Sequence, residues 1–116
     1  MDEAFKTTTV ERRGASVVVR VEGRLDAKTA PRLLADCVAA RPAGGHLVLN
    51  LADVTFLSSN GVGMLLVLAE RSREGGGSLR IAAPSAAVRA PLELLNLDRF
   101  LTIDGSESDS LSALEA

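Results

Sequence analysis

Tryptophan and tyrosine are absent from this 116-residue chain, and phenylalanine occurs only three times. Its 13 basic and 15 acidic residues are scattered, for a net charge of -2. Nucleic-acid binding calls for a basic groove with aromatic side chains on which bases stack. Neither ingredient is here, so no direct nucleic-acid partner is expected. Histidine and cysteine occur once each, as His46 and Cys37. A lone cysteine forms no internal disulfide, and the pair cannot assemble a Cys/His metal cluster. No metal and no cofactor is expected. The longest apolar run, Val62 to Ala69, is about half of what crosses a bilayer, and the opening MDEAFK lacks the regions of a signal peptide. These absences point to a cytoplasmic protein without membrane insertion.

What is present is a 47% apolar composition, mostly Ala, Val and Leu, at a length that supports one core. A single domain over residues 1–116 is expected. Ala4 to Val10 and Ser16 to Glu22 predict two strands, and the turn at Arg13-Gly14-Ala15 is short enough to make them an antiparallel hairpin. A helix follows in which Ala30, Leu33, Leu34, Cys37 and Val38 share one face. Cys37 is thereby read as a small buried hydrophobe. Pro31 suits only the first turn, which makes Thr29 the cap and leaves Asp26 in the loop ahead.

Beyond the breaker Arg41 to Gly45, the run His46 to Leu51 predicts a central strand covered on both faces. A second helix follows Asn60 and stops at Gly75-Gly76-Gly77. Leu79 to Ala83 predicts another strand, and Pro84 and Ser85 open a helix to about Leu95 that Pro91 should kink or split. Leu101 to Ile103 predicts a last short strand. Ser106 to Asp109 forms a capping box for a terminal helix that docks through Leu111 and Leu114. Strands alternating with helices after a hairpin predict an α/β fold: an open mixed sheet of about five strands, mainly parallel, with about four helices.

The segment Asp53 to Leu66, DVTFLSSNGVGMLL, runs from strand material into the second helix through Ser58-Ser59-Asn60. Such strand-to-helix junctions are where open α/β sheets build sites. Ser and Asn are also what a helix N-terminus takes as caps, so from spacing alone a capping role accounts for either serine. A hydrolase is not expected, because His46 opens the central strand at its N-terminal end while Ser59 follows the C-terminal end, and no Gly-x-Ser-x-Gly elbow or Gly-x-x-x-x-Gly-Lys loop occurs. A phosphoaspartate receiver is no better served, since Asp26 and Asp53 do not form an acidic cluster and Lys6 and Lys28 are the only lysines. Arg24 is read first as a solvated loop charge and second as a partner contact.

The element order, the segment VEGRLDAKTA and the segment LVLNLADVTFLSSNGVGMLL together resemble the STAS domain over nearly the whole chain. The likeness is to single-domain bacterial anti-sigma factor antagonists. Their pattern is an apolar strand, a turn ending in an aromatic, then Asp-Ser-Ser/Thr-Gly-Leu-Gly at the start of the second helix. Phe56 and Leu57 match the apolar pair, Ser58 stands at the usual Asp, and Ser59 falls on the phosphorylatable serine. Asn60 replaces the second Ser or Thr, Gly61, Val62 and Gly63 match Gly-Leu-Gly, and Gly23, Leu25 and Asp26 match a Gly-x-Leu-Asp signature.

The resemblance implies a switch and no enzymatic activity of the chain's own. The unphosphorylated form would bind a kinase-type anti-sigma factor and free the sigma factor. Phosphorylation of Ser59, with Ser58 as the alternative acceptor, would end the complex, and a serine phosphatase would reset it. The implied partner surface is Asp26 together with Phe56, Leu57, Ser58, Ser59, Asn60, Gly61, Val62 and Gly63. A STAS subunit that binds without phosphorylation, in a transporter or signalling complex, is the other implied role.

Overall fold

The computed structural model describes residues 5–115. Strands β1 (Lys6–Arg13) and β2 (Ser16–Leu25) form the hairpin, closed by a tight turn in which Gly14 takes φ 59. That left-handed backbone is open to glycine at little cost. The chain continues through α1 (Ala30–Ala40), β3 (His46–Leu57), α2 (Ser59–Glu74), β4 (Leu79–Ala82) and α3 (Ala86–Leu94). A 3-10 turn (Leu97–Arg99), β5 (Thr102–Asp104) and α4 (Glu107–Glu115) complete it. The five strands lie side by side in chain order, β1 antiparallel and the rest parallel. This is the mixed sheet the sequence predicts.

Alternation along the strands divides the apolar residues between two faces. Val17, Val19 and Val21 of β2, Leu47, Leu49 and Leu51 of β3 and Leu79 and Ile81 of β4 pack with α1, α2 and α3. Leu33 and Cys37, Leu65 and Leu68, and Val88 and Leu92 are the matching helical contributions. The opposite face offers Val18, Val48 and Ala82, and α4 closes it with Leu111 and Leu114. Among the described residues no helix is long and apolar enough to cross a membrane.

Several elements differ from their sequence-based bounds. Strand β1 extends past Val10 to Arg13 because a bulge between Thr9 and Glu11 restores pairing, leaving Val10 38% exposed; its expected start at Ala4 lies outside the described residues. Bulges likewise carry β2 to Leu25 and β3 to Leu57, six residues beyond the apolar run that announces it. Val38 points to solvent at 57% exposure, since Ala30, Leu33, Cys37 and Ala40 already fill the buried stripe of α1. Pro91 does not split α3, which loses at most the one bond its nitrogen would have donated and stays anchored by buried Val88 and Leu92. The last strand begins at Thr102, after the buried Leu101. Ser106 accepts from the Asp109 N–H at 3.0 Å, as the capping box requires.

Candidate functional site

The prolonged ends of β2 and β3 build the site. Their register sets Arg24 opposite Phe56 and Leu25 opposite Leu57, so two segments far apart in sequence are zipped together. The Ser58 N–H adds one more rung, donating to the Leu25 carbonyl at 3.0 Å. The chain then turns into α2 with its first turn pressed on β2. Gly61 makes that approach possible: a Cβ there would lie 2.6 Å from the Leu25 carbonyl oxygen and 2.7 Å from Leu57 Cδ1. At Gly63 a Cβ would meet nothing within 4 Å.

The two serines have different tasks. Ser58 has an extended backbone, and its Oγ accepts from the Gly61 N–H at 3.2 Å, which makes it the cap of α2. Ser59 is the first helical residue and is exposed. Among the described residues its hydroxyl has no protein hydrogen-bond partner. A free hydroxyl thus stands at the positive end of a 16-residue helix.

Asp26 lies beside this junction in the loop from β2 to α1. Its Oδ1 accepts from the backbone N–H groups of Lys28 at 3.0 Å and Thr29 at 3.3 Å, and its Oδ2 faces Arg24 Nε at 3.6 Å. Desolvation pushes the Asp26 carboxyl up. The N–H groups of Thr29 and Lys28, the Thr29 hydroxyl and the Arg24 charge outweigh it and hold the group below its ordinary value. Thr29 occupies the cap position of α1 but does not bond the helix through its side chain. Its hydroxyl donates instead to the Arg24 carbonyl at 2.7 Å and accepts from the Asp26 N–H at 2.9 Å, tying the loop to the strand end. The Arg24 guanidinium lies 4.1 Å above the centre of the Phe56 ring.

The family described as "Mlab, STAS domain" matches residues 8–103. The chain belongs to the STAS domain family. It is 28% identical over 101 residues to an anti-sigma F factor antagonist of Paenibacillus polymyxa, covering 85% of this chain and 86% of the relative. It is 30% identical to a crystal structure of an anti-sigma factor antagonist from Mycobacterium paratuberculosis, with a TM-score of 0.76 and 96% of each chain covered. The unphosphorylated form of the anti-sigma factor antagonist SpoIIAA shares the fold at a TM-score of 0.72 and 22% identity, over 97% of this chain and 96% of that one.

Within this STAS domain, the residues singled out by sequence gather at one end of the sheet but are not equally accessible. Phe56, Ser59 and Asn60 are exposed, and Asp26, Ser58 and Gly63 are half-buried. Leu57, Gly61 and Val62 face inward, with Leu57 and Val62 in the core. Their contribution is to shape the junction. His46 sits at the other end of the 12-residue β3, roughly 35 Å from Ser59 at strand rise per residue. There its Nδ1 pairs with Ser78 Oγ at 2.9 Å, so it cannot serve as base to Ser59. Burial, with Asp36 adding to it, pushes the Cys37 thiol up to about 12, in keeping with a packing role. Among the described residues no group of three or more His, Cys, Asp or Glu could hold a metal ion.

Sequence reasoning took Arg24 mainly for a solvated loop charge, with partner contact as the lesser reading, and the structure places it differently. It is the penultimate residue of β2, stacked on Phe56 and facing Asp26. The available signal was the spacing of Arg24, Lys28 and Arg32, each four residues apart.

Proposed function

We propose that this STAS domain is an anti-sigma factor antagonist worked by partner switching. Unphosphorylated, it binds a kinase-type anti-sigma factor through the exposed end of the β2 and β3 pair and so frees the sigma factor. The anti-sigma factor then transfers the γ-phosphoryl group of ATP to Ser59. The Ser59 oxygen forms the new P–O bond, the bond to the leaving ADP breaks, and the hydroxyl proton passes to a base of the kinase. A serine phosphatase restores the hydroxyl. The protein acts in the cytoplasm, with its sigma factor.

The observation that carries this reading is the uncommitted, exposed hydroxyl of Ser59 beside a serine already occupied as the cap. Phosphate adds roughly -1.5 to -2 charge. At the first residue of a helix that charge meets free N–H groups and a favourable dipole, so the fold tolerates it. A partner covering Phe56, Asn60 and Asp26 would have to strip water from the dianion, which is costly without a cation to receive it.

The test is to mix the protein with candidate kinase-type anti-sigma factors and Mg-ATP, map phosphate by mass spectrometry, and compare binding by Ser59→Ala and Ser59→Glu. Expected are phosphate on Ser59, no phosphate on Ser59→Ala, and weakened binding by Ser59→Glu. Phosphate on Ser58 alone would overturn the residue assignment. No phosphate, with equal binding by both variants, would leave the STAS subunit that binds without modification.

A further inference from the structure

Next to the start of α2, the end of β2 and the loop before α1 enclose a cleft of about 480 Å³. Arg24, Lys28 and Arg32 line it against one carboxylate, that of Asp26. Asp26 is already committed to two backbone N–H groups and to Arg24, so among the described residues two cations of the cleft remain unbalanced, on a chain whose net charge is -2. Arg32 lies 5.0 Å over the Phe5 ring and donates to the Phe5 carbonyl at 3.3 Å, and Arg24 lies over Phe56. A guanidinium held over a ring by cation–π attraction still offers N–H donors to a carboxylate. The Lys28 ammonium is exposed and, among the described residues, has no protein partner. The three cations come from a strand, a loop and a helix, so it is the turn after β2 that brings them together.

We infer that this cleft receives an acidic segment of the partner protein, a stretch carrying Asp or Glu side chains, an inference that rests on the partner-binding reading above. Charge complementarity sets its chemistry, and continuity through Arg24 to Phe56 joins it to the exposed junction. A small phosphate is less suited. Anion nests converge backbone N–H groups on one point, and here those of Lys28 and Thr29 already serve Asp26, whose own charge would oppose a dianion. A segment with spaced carboxylates can reach Arg24, Lys28 and Arg32 separately. Such pairing gives specificity and speeds association.

Two measurements test this. In the first, the isotope-labelled protein is titrated by NMR with a hexaglutamate peptide and, in parallel, with inorganic phosphate. The peptide should shift the amides of residues 24–32 and Phe56 at lower concentration than phosphate does, and Arg24→Glu with Lys28→Glu should abolish the response. Absence of shifts, or tighter binding of phosphate, overturns the inference. In the second, the same double variant, its fold checked by circular dichroism, is compared with the parent for binding to an anti-sigma factor that the parent captures. Affinity should fall roughly tenfold or more, mainly through a slower on-rate, and the salt dependence of the parent should flatten. Unchanged affinity overturns the acidic-segment inference and leaves the antagonist reading standing. A protein that binds hexaglutamate at this cleft but no anti-sigma factor does the reverse.

Discussion

At the scale of single residues, the junction divides its labour between neighbours. Ser58 caps α2, so Ser58→Ala should cost about 1 kcal/mol in urea denaturation. Ser59→Ala should change stability by less than about 0.5 kcal/mol, because its exposed hydroxyl holds nothing in the fold. If the two variants reversed that order, the cap would be Ser59. The glycines divide in the same way. Gly61→Ala drives a methyl into the Leu25 carbonyl and should destabilise by about 1–3 kcal/mol, measured in the same denaturation series. Gly63→Ala meets open space and should be neutral or gain up to about 1 kcal/mol from helix propensity. Both glycines sit in one motif, and only the distance to β2 tells them apart.

At the scale of elements, α4 is held by two carboxylates as much as by its apolar face. Glu107 accepts from Arg20 at 2.8 and 3.1 Å and from Asn50 at 2.6 Å. Asp104 accepts from Arg80 at 2.8 and 3.1 Å and from Ser110 at 2.7 Å. Arg20 chiefly, against some desolvation, holds Glu107 below its ordinary value, and Arg80 does the same for Asp104. A carboxyl whose folded value is depressed contributes stability that is complete above its unfolded value. That contribution fades as pH falls through about 4 and is gone below the folded value. Protection of the α4 amides against exchange, taken relative to their intrinsic rates, should therefore fall below about pH 4.5 ahead of β2 and β3, and Glu107→Gln should flatten that pH profile while loosening the helix at neutral pH. Leu111→Ala should cost about 2–3 kcal/mol, since Leu111 is the buried plug over Val18, Val48 and Ala82.

At the scale of the molecule, the sheet separates what must be rigid from what must change. The Ser59 hydroxyl, exposed on the first residue of α2, takes no part in the core on either face of β2, β3 and β4. Phosphorylation, or Ser59→Glu, should leave the melting temperature within a few degrees of the parent, because anions at a helix N-terminus contribute about 0.3–1 kcal/mol in the favourable direction. Partner affinity should fall in the same samples. A large loss of melting temperature would mean that the modification acts by unfolding the junction and not by blocking a surface.

The order of elements, the antiparallel hairpin, the parallel remainder and the strand-to-helix junction at Ser58 to Gly63 were legible in the sequence, because hydrophobic periodicity, glycine breaks and capping residues are local signals. Tertiary structure decided the rest. Strand pairing across bulges carried β2 to Leu25 and β3 to Leu57, through residues whose own pattern ends several positions earlier. That extension assigned the cap to Ser58 and left Ser59 free, turned Leu57 and Val62 inward, and moved Arg24 from a loop onto Phe56, while packing of α1 left Val38 outside. The physical reason is that a local pattern specifies which residues want burial or a cap, whereas register between distant strands specifies which of them obtain it.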